Sequence, residues 1–191
     1  MAGKNNPAQF SLLMRILHWL MAAMLLTMLF IGTAMVASLA DYHRLVAIHR
    51  PLGILILSLA VIRLISRESS TLPPFLPTLS RREQRLAMAT EKLLYGLMIL
   101  LPLVGWGMLS AGSYPILLYG PLHLPPILPA NPMLYTVLRQ THTVLANLLF
   151  VTFLAHLSTV LYHTWIVRDR LLDRMALWAV RSGKAAGNTP R

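Results

Sequence analysis

Cysteine is absent from this chain of 191 residues, and acidic residues number only 6. Without a thiol the chain can form no disulfide, thiolate metal site, iron–sulfur cluster or covalently attached haem. Charged residues make up 12% of the chain, whereas a typical soluble domain has about 25%. So little polar surface excludes a soluble globular domain, a disordered tail and a coiled coil.

What the sequence does contain is apolar and basic. Hydrophobic residues account for 56% of the chain, and 17 Lys and Arg residues leave a formal net charge of +11. The combination of a large apolar fraction with a basic excess is typical of membrane proteins whose loops carry the charge. The composition therefore predicts an integral membrane protein with basic ends.

Four apolar stretches are long enough to cross a bilayer, for which a helix needs about 20 residues. They cover about residues 16–40, 45–66, 93–112 and 140–167. The first exceeds the roughly 7–15 apolar residues of a cleaved signal, so we expect it to be retained. Six prolines between positions 115 and 132 disfavour a long helix between the third and fourth spans. We predict an all-α bundle of four transmembrane helices forming a single membrane domain, residues 1–191, with a tail at 168–191.

The basic residues predict the orientation of this bundle. Antiparallel threading places fourteen of the seventeen on the side that holds both termini, and three on the other, namely Arg44, Arg50 and Arg139. By the positive-inside rule both termini are then cytoplasmic. The high net charge thus records topology, and we expect no nucleic-acid partner.

Four histidines lie within the predicted spans, where an imidazole is costly unless it is paired. His142 and His156 are fourteen residues apart, which places them about 40° apart on one helix face and about 21 Å apart in depth. Threading matches His49 with His142 near the outer side, and His18 with His156 nearer the cytoplasm. Two opposed imidazole pairs inside a four-helix bundle suit two haems with two axial histidines each. For each histidine taken alone, a hydrogen bond to a neighbouring helix is the alternative.

Two glycines fit this arrangement. Gly32 follows His18 by fourteen residues, so it shares that helix face at the outer level, and Gly53 follows His49 by one turn. Either could leave room for the outer porphyrin. Ordinary small-residue packing between membrane helices is the alternative for both.

Arginines supply candidate partners for haem propionates. Arg63 follows His49 by fourteen residues and so lies on the same face at the inner level. Arg63 or Arg67 could hold inner propionates, and Arg50 or Arg139 outer ones, because arginine–carboxylate pairs are strong where water is scarce. Snorkelling to lipid headgroups is the alternative.

The remaining histidines have weaker signals. His163 follows His156 by seven residues, close to the cytoplasmic boundary, and could donate to a quinone carbonyl or carry a proton. The alternative is an interfacial histidine beside Trp165. His43 and His123 lie in the outer connections, where solvent or headgroup contacts are expected and no role is assigned.

Four histidine- and arginine-bearing fragments follow one another along the chain: Ile16-Leu17-His18-Trp19-Leu20, Ile48-His49-Arg50-Pro51-Leu52-Gly53-Ile54, Val61-Ile62-Arg63-Leu64, and His142-Thr143-Val144-Leu145-Ala146-Asn147 running on to His156 and His163. In this order, the fragments resemble the bacterial cytochrome b-561 family. The resemblance covers about residues 10 to 175, nearly the whole chain.

The resemblance implies a dihaem b-type cytochrome of the bacterial inner membrane that moves electrons between the outer face and ubiquinone. The family's four haem ligands match His18, His49, His142 and His156. One branch oxidises superoxide, and others are electron-entry subunits for partner dehydrogenases or periplasmic redox proteins. A quinone site is expected near His163, Arg15 and Arg67, and a homodimer is left open.

Two alternatives belong to other functional classes. A histidine-lined transporter or metal carrier would normally place acidic partners in its spans, yet all six Asp and Glu residues lie outside the predicted spans. A noncatalytic haem-bearing anchor for a soluble partner is closer to the pattern. Activity of the isolated chain distinguishes such an anchor from a self-sufficient oxidoreductase.

Overall fold

The computed structural model describes residues 9–178, so the predicted tail is covered only as far as Trp178. Lys4, Arg181, Lys184 and Arg191, which entered the charge count, lie outside the described residues. The helices are α1 (Leu12–Ala37), α2 (Tyr42–Glu68), α3 (Arg81–Ala111) and α4 (Pro132–Tyr162), followed by a π-helical turn (His163–Val167) and a 3-10 turn (Leu171–Arg174). Strands β1 (Leu117–Tyr119) and β2 (Leu122–His123) form an antiparallel hairpin. All four helices are long and apolar enough to cross a membrane, which confirms the four-span prediction.

Helix α3 begins twelve residues before the third apolar stretch. Its start is fixed by a capping box, in which the Glu83 amide donates to the Ser80 hydroxyl and the Ser80 amide donates to the Glu83 carboxylate at 2.7 Å. A capping box satisfies backbone donors that the first turn leaves unpaired. The basic segment after the second span is therefore the first part of α3.

Helix α4 begins at Pro132, inside the proline-rich interval that was expected to hold no long helix. Asn131 caps it by accepting from the Leu134 amide at 3.0 Å, and Pro132 occupies the first helical turn. Proline is well tolerated there because its missing N–H has no intrahelical partner. Only the residues before Asn131 form the connection, which includes the hairpin and the left-handed Gly120 (φ 52°) of its turn.

The two ends of the described chain meet at one end of the bundle, called here the terminal end. The Phe10 amide donates to the Arg174 carbonyl at 3.1 Å, and the Trp19 indole donates to the Met175 carbonyl at 2.7 Å. The buried guanidinium of Arg174, whose pKa is lowered by burial, donates to the Pro74 carbonyl of the α2–α3 connection. The opposite end, with residues 38–41 and the β-hairpin, is called the hairpin end.

An apolar core fills the middle of the bundle and takes side chains from all four helices. Its buried members are Met21, Met24, Leu25, Ile56, Ala60, Tyr95, Leu97, Met98, Leu101 and Leu149. Many other large apolar side chains face outward, such as Phe30 at 69% exposure and Val151 at 61%. An apolar outer surface is what lipid requires of a membrane-spanning bundle.

Candidate functional site

The four membrane-depth histidines form two pairs at two levels of the bundle. Towards the hairpin end, His49 of α2 faces His142 of α4 with ring centres 6.3 Å apart and planes at 65°. Towards the terminal end, His18 of α1 faces His156 of α4 with ring centres 6.4 Å apart and planes at 63°. The structure thus brings together the pairs that threading matched by depth.

The ring separation distinguishes two interpretations of each pair. A direct N–H···N hydrogen bond of about 2.9 Å would bring the ring centres to about 5 Å. Two imidazole nitrogens that share one metal ion at about 2.0 Å would place the ring centres about 6.3 Å apart. The observed 6.3 and 6.4 Å match the second geometry. In addition, Nδ1 of His49 and of His142 is buried without a hydrogen-bond partner, so neither ring uses Nδ1 to bond the other.

Each level offers two imidazoles. Within residues 9–178 no group of three or more His, Cys, Asp or Glu side chains comes close enough to hold a metal ion. Two nitrogens are too few to surround a bare ion, but they are the number that fills the two axial positions of a haem iron. The donor set therefore fits haem.

Leu149 lies midway between the two levels on α4, seven residues from His142 and seven from His156. Its side chain is 5% exposed and packs in the central core. A layer of apolar side chains therefore separates the histidine pairs and keeps water away from the space between them.

Glycines leave space beside the histidines. A β-carbon added at Gly32 would meet no atom within 4 Å, and one at Gly53 would meet only Met28 Cε at 3.7 Å. At Gly105 of α3 the added carbon would lie 3.3 Å from Cε1 of His142. Gly105 was not predicted as a site residue, because α3 carries no histidine from which a spacing can be measured.

Arg63 lies beside the terminal-end pair. Its Nη2 donates to Nδ1 of His18 at 3.0 Å, and its guanidinium lies 5.6 Å from the centre of the Tyr95 ring of α3. Tyr95 is 7% exposed, and its hydroxyl has no hydrogen-bond partner. Tyr95 is a second residue of this level that sequence reasoning missed.

Arg67 is engaged by carboxylates. It donates to both oxygens of Glu91 at 2.7 and 3.0 Å, and to Glu68 at 2.9 Å. This bidentate contact ties the end of α2 to α3. The partners of Arg67 are therefore carboxylates of this chain, Glu91 and Glu68.

The other arginines predicted as haem contacts lie towards the hairpin end. Arg50 donates to the Pro115 carbonyl at 3.2 Å, which holds the connection before the β-hairpin against α2. Arg139 is exposed on the first turns of α4 and borders a shallow recess with Tyr135. Both remain predictions as haem contacts.

His163 is paired with a carboxylate that the sequence did not point to. Its Nδ1 lies 2.7 Å from an Asp169 oxygen, and the two side chains are 4% and 2% exposed. The same carboxylate oxygen accepts from the Thr78 hydroxyl at 2.9 Å. Left-handed backbone at Arg168 (φ 56°) and Arg170 (φ 63°) turns the chain so that Asp169 points back to α4. His163 is therefore buried and does not resemble a headgroup contact.

The three residues expected at the quinone site have separate partners. Arg15 donates to the Gln9 side chain at 3.2 Å and to the Ala176 carbonyl at 2.7 Å. Arg67 pairs with acidic residues of α2 and α3, and His163 with the carboxylate just described. All three lie towards the terminal end, without a contact that would define one pocket.

The two unassigned histidines lie towards the hairpin end. His43 is exposed in the first turn of α2, beside the Tyr42 ring. His123 ends strand β2 and borders an open recess of about 500 Å³ between the end of α3, the hairpin and the segment that precedes α4. Neither His43 nor His123 makes a ring contact with a member of the two histidine pairs, and their roles stay unassigned.

Four membrane-spanning helices with paired imidazoles in the interior define a membrane-bound b-type cytochrome. A family model described as Prokaryotic cytochrome b561 matches residues 9–177, and the chain belongs to this family. It is 29% identical over 178 residues to cytochrome b561 homolog 2 of Escherichia coli K12, which covers 92% of this chain and 95% of that relative. It is 30% identical over 128 residues to a probable superoxide oxidase, CybB, of Yersinia pestis, covering 67% of this chain and 72% of that relative.

Family membership confirms the resemblance stated from the sequence. The protein is a multi-pass protein of the bacterial inner membrane. It takes part in membrane electron transfer with haem b as cofactor.

Proposed function

We propose that this chain conducts electrons across the membrane with two haem b groups, one held by each histidine pair. His49 and His142 would hold the haem towards the hairpin end, and His18 and His156 the one towards the terminal end. The observation that carries the proposal is the shared ring separation of 6.3 and 6.4 Å at two levels of one bundle. Two such pairs at two depths, with one histidine of each pair supplied by α4, are what two haems in one bundle would need.

In this proposal the terminal end is cytoplasmic and the hairpin end periplasmic. Arginines and lysines of residues 63–92 and 168–174 gather at the terminal end, in addition to Arg15. Among residues 9–178, the basic side chains at the hairpin end are Arg44, Arg50 and Arg139. This asymmetry is the one that the positive-inside rule requires.

The bound haems supply a one-electron iron couple, and the chain's residues set the conditions for it. The histidines would ligate the irons, and Leu149 with the surrounding core keeps the space between the levels apolar. Gly32 and Gly53 leave room beside the ligands, and Gly105 lets the ring of His142 approach α3. Arg50 and Arg139 stay the candidate propionate partners at the periplasmic level.

Ubiquinone is the proposed acceptor at the cytoplasmic level, with His163 as the residue that contacts it. Because Asp169 accepts from Nδ1 of His163, the Nε2 atom is the one left to face a quinone oxygen. Arg15, whose partners are uncharged, lies at this end and favours the anionic forms of a quinone, whereas the charge of Arg67 is met by Glu91 and Glu68. Protons for quinol formation would then come from the cytoplasm.

Superoxide is the proposed donor at the periplasmic level. Within the described part of the chain, the hairpin end has three arginines and a single carboxylate, Asp41, so its charge attracts a small anion and salt should weaken that attraction. The similarity to a probable superoxide oxidase supports the same donor. A generator of superoxide with purified protein and ubiquinone should give quinol faster than the uncatalysed reaction, and an unchanged rate contradicts this donor.

A second candidate function is a haem-bearing anchor that receives electrons from a partner dehydrogenase or periplasmic redox protein. The similarity to cytochrome b561 homolog 2, whose name states no electron donor, is compatible with this anchor function. If the isolated chain keeps its haem but has no donor:quinone activity until a partner is added, the anchor replaces the oxidoreductase.

The central test is a reduced-minus-oxidised spectrum with a haem-to-protein count. We expect two b-type haems per chain, and one after His142→Ala. His123→Ala, which alters an exposed histidine towards the same end, is the matched control and should keep both. A wild-type chain with fewer than two haems contradicts the proposal.

A further inference from the structure

Two buried polar groups without partners lie together at the terminal-end histidine level. The Tyr95 hydroxyl and the Nε atom of Arg63 are both buried and unpaired, and the guanidinium of Arg63 lies over the Tyr95 ring. Burying such groups unpaired is costly, and native structures rarely do so without reason. Both groups can donate a hydrogen bond, so the missing partner is an acceptor.

The contact between Arg63 and His18 points to the same acceptor by a different route. Arginine only donates, so its 3.0 Å contact with Nδ1 of His18 requires a lone pair on that nitrogen. A histidine that binds iron through Nε2 carries its proton on Nδ1. The contact and ligation through Nε2 exclude each other, so Arg63 must turn to another acceptor when His18 becomes a ligand.

The nearby protein carboxylate is already engaged. Glu91 of α3 accepts from Arg67 at both oxygens, at 2.7 and 3.0 Å. A guanidinium this deep in the bundle needs a negative charge close to it. Both Glu91 oxygens are thus taken by Arg67, and haem, which carries two carboxylates, would bring a free acceptor to this level.

We propose that Tyr95 and Arg63 together hold one propionate of the haem at the His18–His156 level, with the tyrosine hydroxyl and the guanidinium donating to it. Arg63 thus exchanges the imidazole of His18 for the propionate as the haem binds. The inference rests on the proposed function, since it needs haem at this level. It adds Tyr95 as a positioning residue, and it explains why the hydroxyl lies buried on a helix that carries no ligand.

The test compares Tyr95→Phe and Arg63→Gln with the wild-type full-length holoprotein. Tyr42→Phe, which removes the same hydroxyl from an exposed residue at the hairpin end, is the matched control. Redox titration followed in the α-band measures the two haem potentials separately, and resonance Raman spectra report the propionate bending band. Neither measurement depends on donor:quinone activity.

We expect Arg63→Gln to lower the potential of one haem, because a cation nearby favours the reduced form. Tyr95→Phe should shift the same haem less, in the same direction, and change the propionate band. Haem transfer to apomyoglobin should be about threefold to tenfold faster in Tyr95→Phe, the range expected when one hydrogen bond is lost. The other haem and the Tyr42→Phe protein should behave as wild type.

The inference is overturned if Tyr95→Phe binds two haems and has the potentials, the propionate band and the rate of haem transfer of the wild type. That result would leave the dihaem proposal intact. If Arg63→Gln does not assemble, Tyr95→Phe alone decides. A wild-type chain without haem at the His18–His156 level overturns the proposed function itself, and this inference with it.

Discussion

Gly105 and the His142 ring lie so close together that a methyl group added at Gly105 would press against the ring. A β-carbon at Gly105 would lie 3.3 Å from Cε1 and 3.5 Å from Nδ1 of the His142 ring. Gly105→Ala should therefore push the ring away from His49 and lower haem occupancy at the hairpin-end level, measured as haem per chain. Gly96→Ala on the same helix, where an added carbon meets nothing within 4 Å, should retain full occupancy. Equal haem content in the two variants would contradict the role of Gly105.

The buried pair of His163 and Asp169 leads to a second prediction at this scale. Asp169→Asn removes the charge that holds Nδ1 of His163 while leaving the haem ligands untouched. We expect quinone reduction by an artificial donor to slow by at least about tenfold, as when a proton-transfer group loses its orientation, with unchanged haem content. Asp173→Asn, which alters a carboxylate paired with Arg170, is the control. A wild-type rate in Asp169→Asn rules out a part for this pair in quinone chemistry.

Sequence reasoning reached some of these residues and missed others for physical reasons. The histidine pairs could be predicted because antiparallel threading fixes the height of every residue in a span. Tyr95 and Gly105 could not, since they lie beside Arg63 and His142 of other helices and neither is unusual in a membrane span. Asp169 was missed because its approach to His163 depends on left-handed backbone at two arginines, which residue type does not predict.

Among the secondary-structure elements, helix α4 has the strictest geometry because it contributes one histidine to each pair. Inserting one alanine after Leu149 should rotate His156 by about 100° relative to His142. We expect at most one haem per chain in that variant. An alanine inserted after Leu72, in the non-helical α2–α3 connection, should leave two. Two haems with wild-type spectra in the Leu149 insertion would contradict ligation of both by α4.

The helix boundaries show where hydropathy is informative and where it is not. Apolar runs located all four helices but not the ends of α3 and α4, since these ends are set by the Ser80–Glu83 capping box and the Asn131 cap. The β-hairpin at 117–123 was not predicted, because its residues do not alternate between polar and apolar. Hydropathy describes contact with lipid, whereas helix ends depend on local hydrogen bonds.

For the molecule as a whole, the absence of cysteine makes the orientation directly measurable. His123→Cys places one thiol at the hairpin end, and Thr71→Cys places one at the terminal end; both positions are exposed. With the terminal end cytoplasmic, a membrane-impermeant maleimide should label His123→Cys in spheroplasts and Thr71→Cys only after lysis. The reverse pattern would overturn the positive-inside assignment.

The sharing of α4 between both histidine pairs also has a consequence for biosynthesis. The first helical hairpin, α1 and α2, contains His18 and His49. Each of these histidines needs a partner from α4, which is the last helix to be inserted into the membrane. In the proposed dihaem protein, neither cofactor site is complete until α4 has been inserted, so both haems are acquired after the chain is nearly finished. A truncated product that lacks α4 would hold no haem at either level, and haem content therefore reports complete membrane insertion.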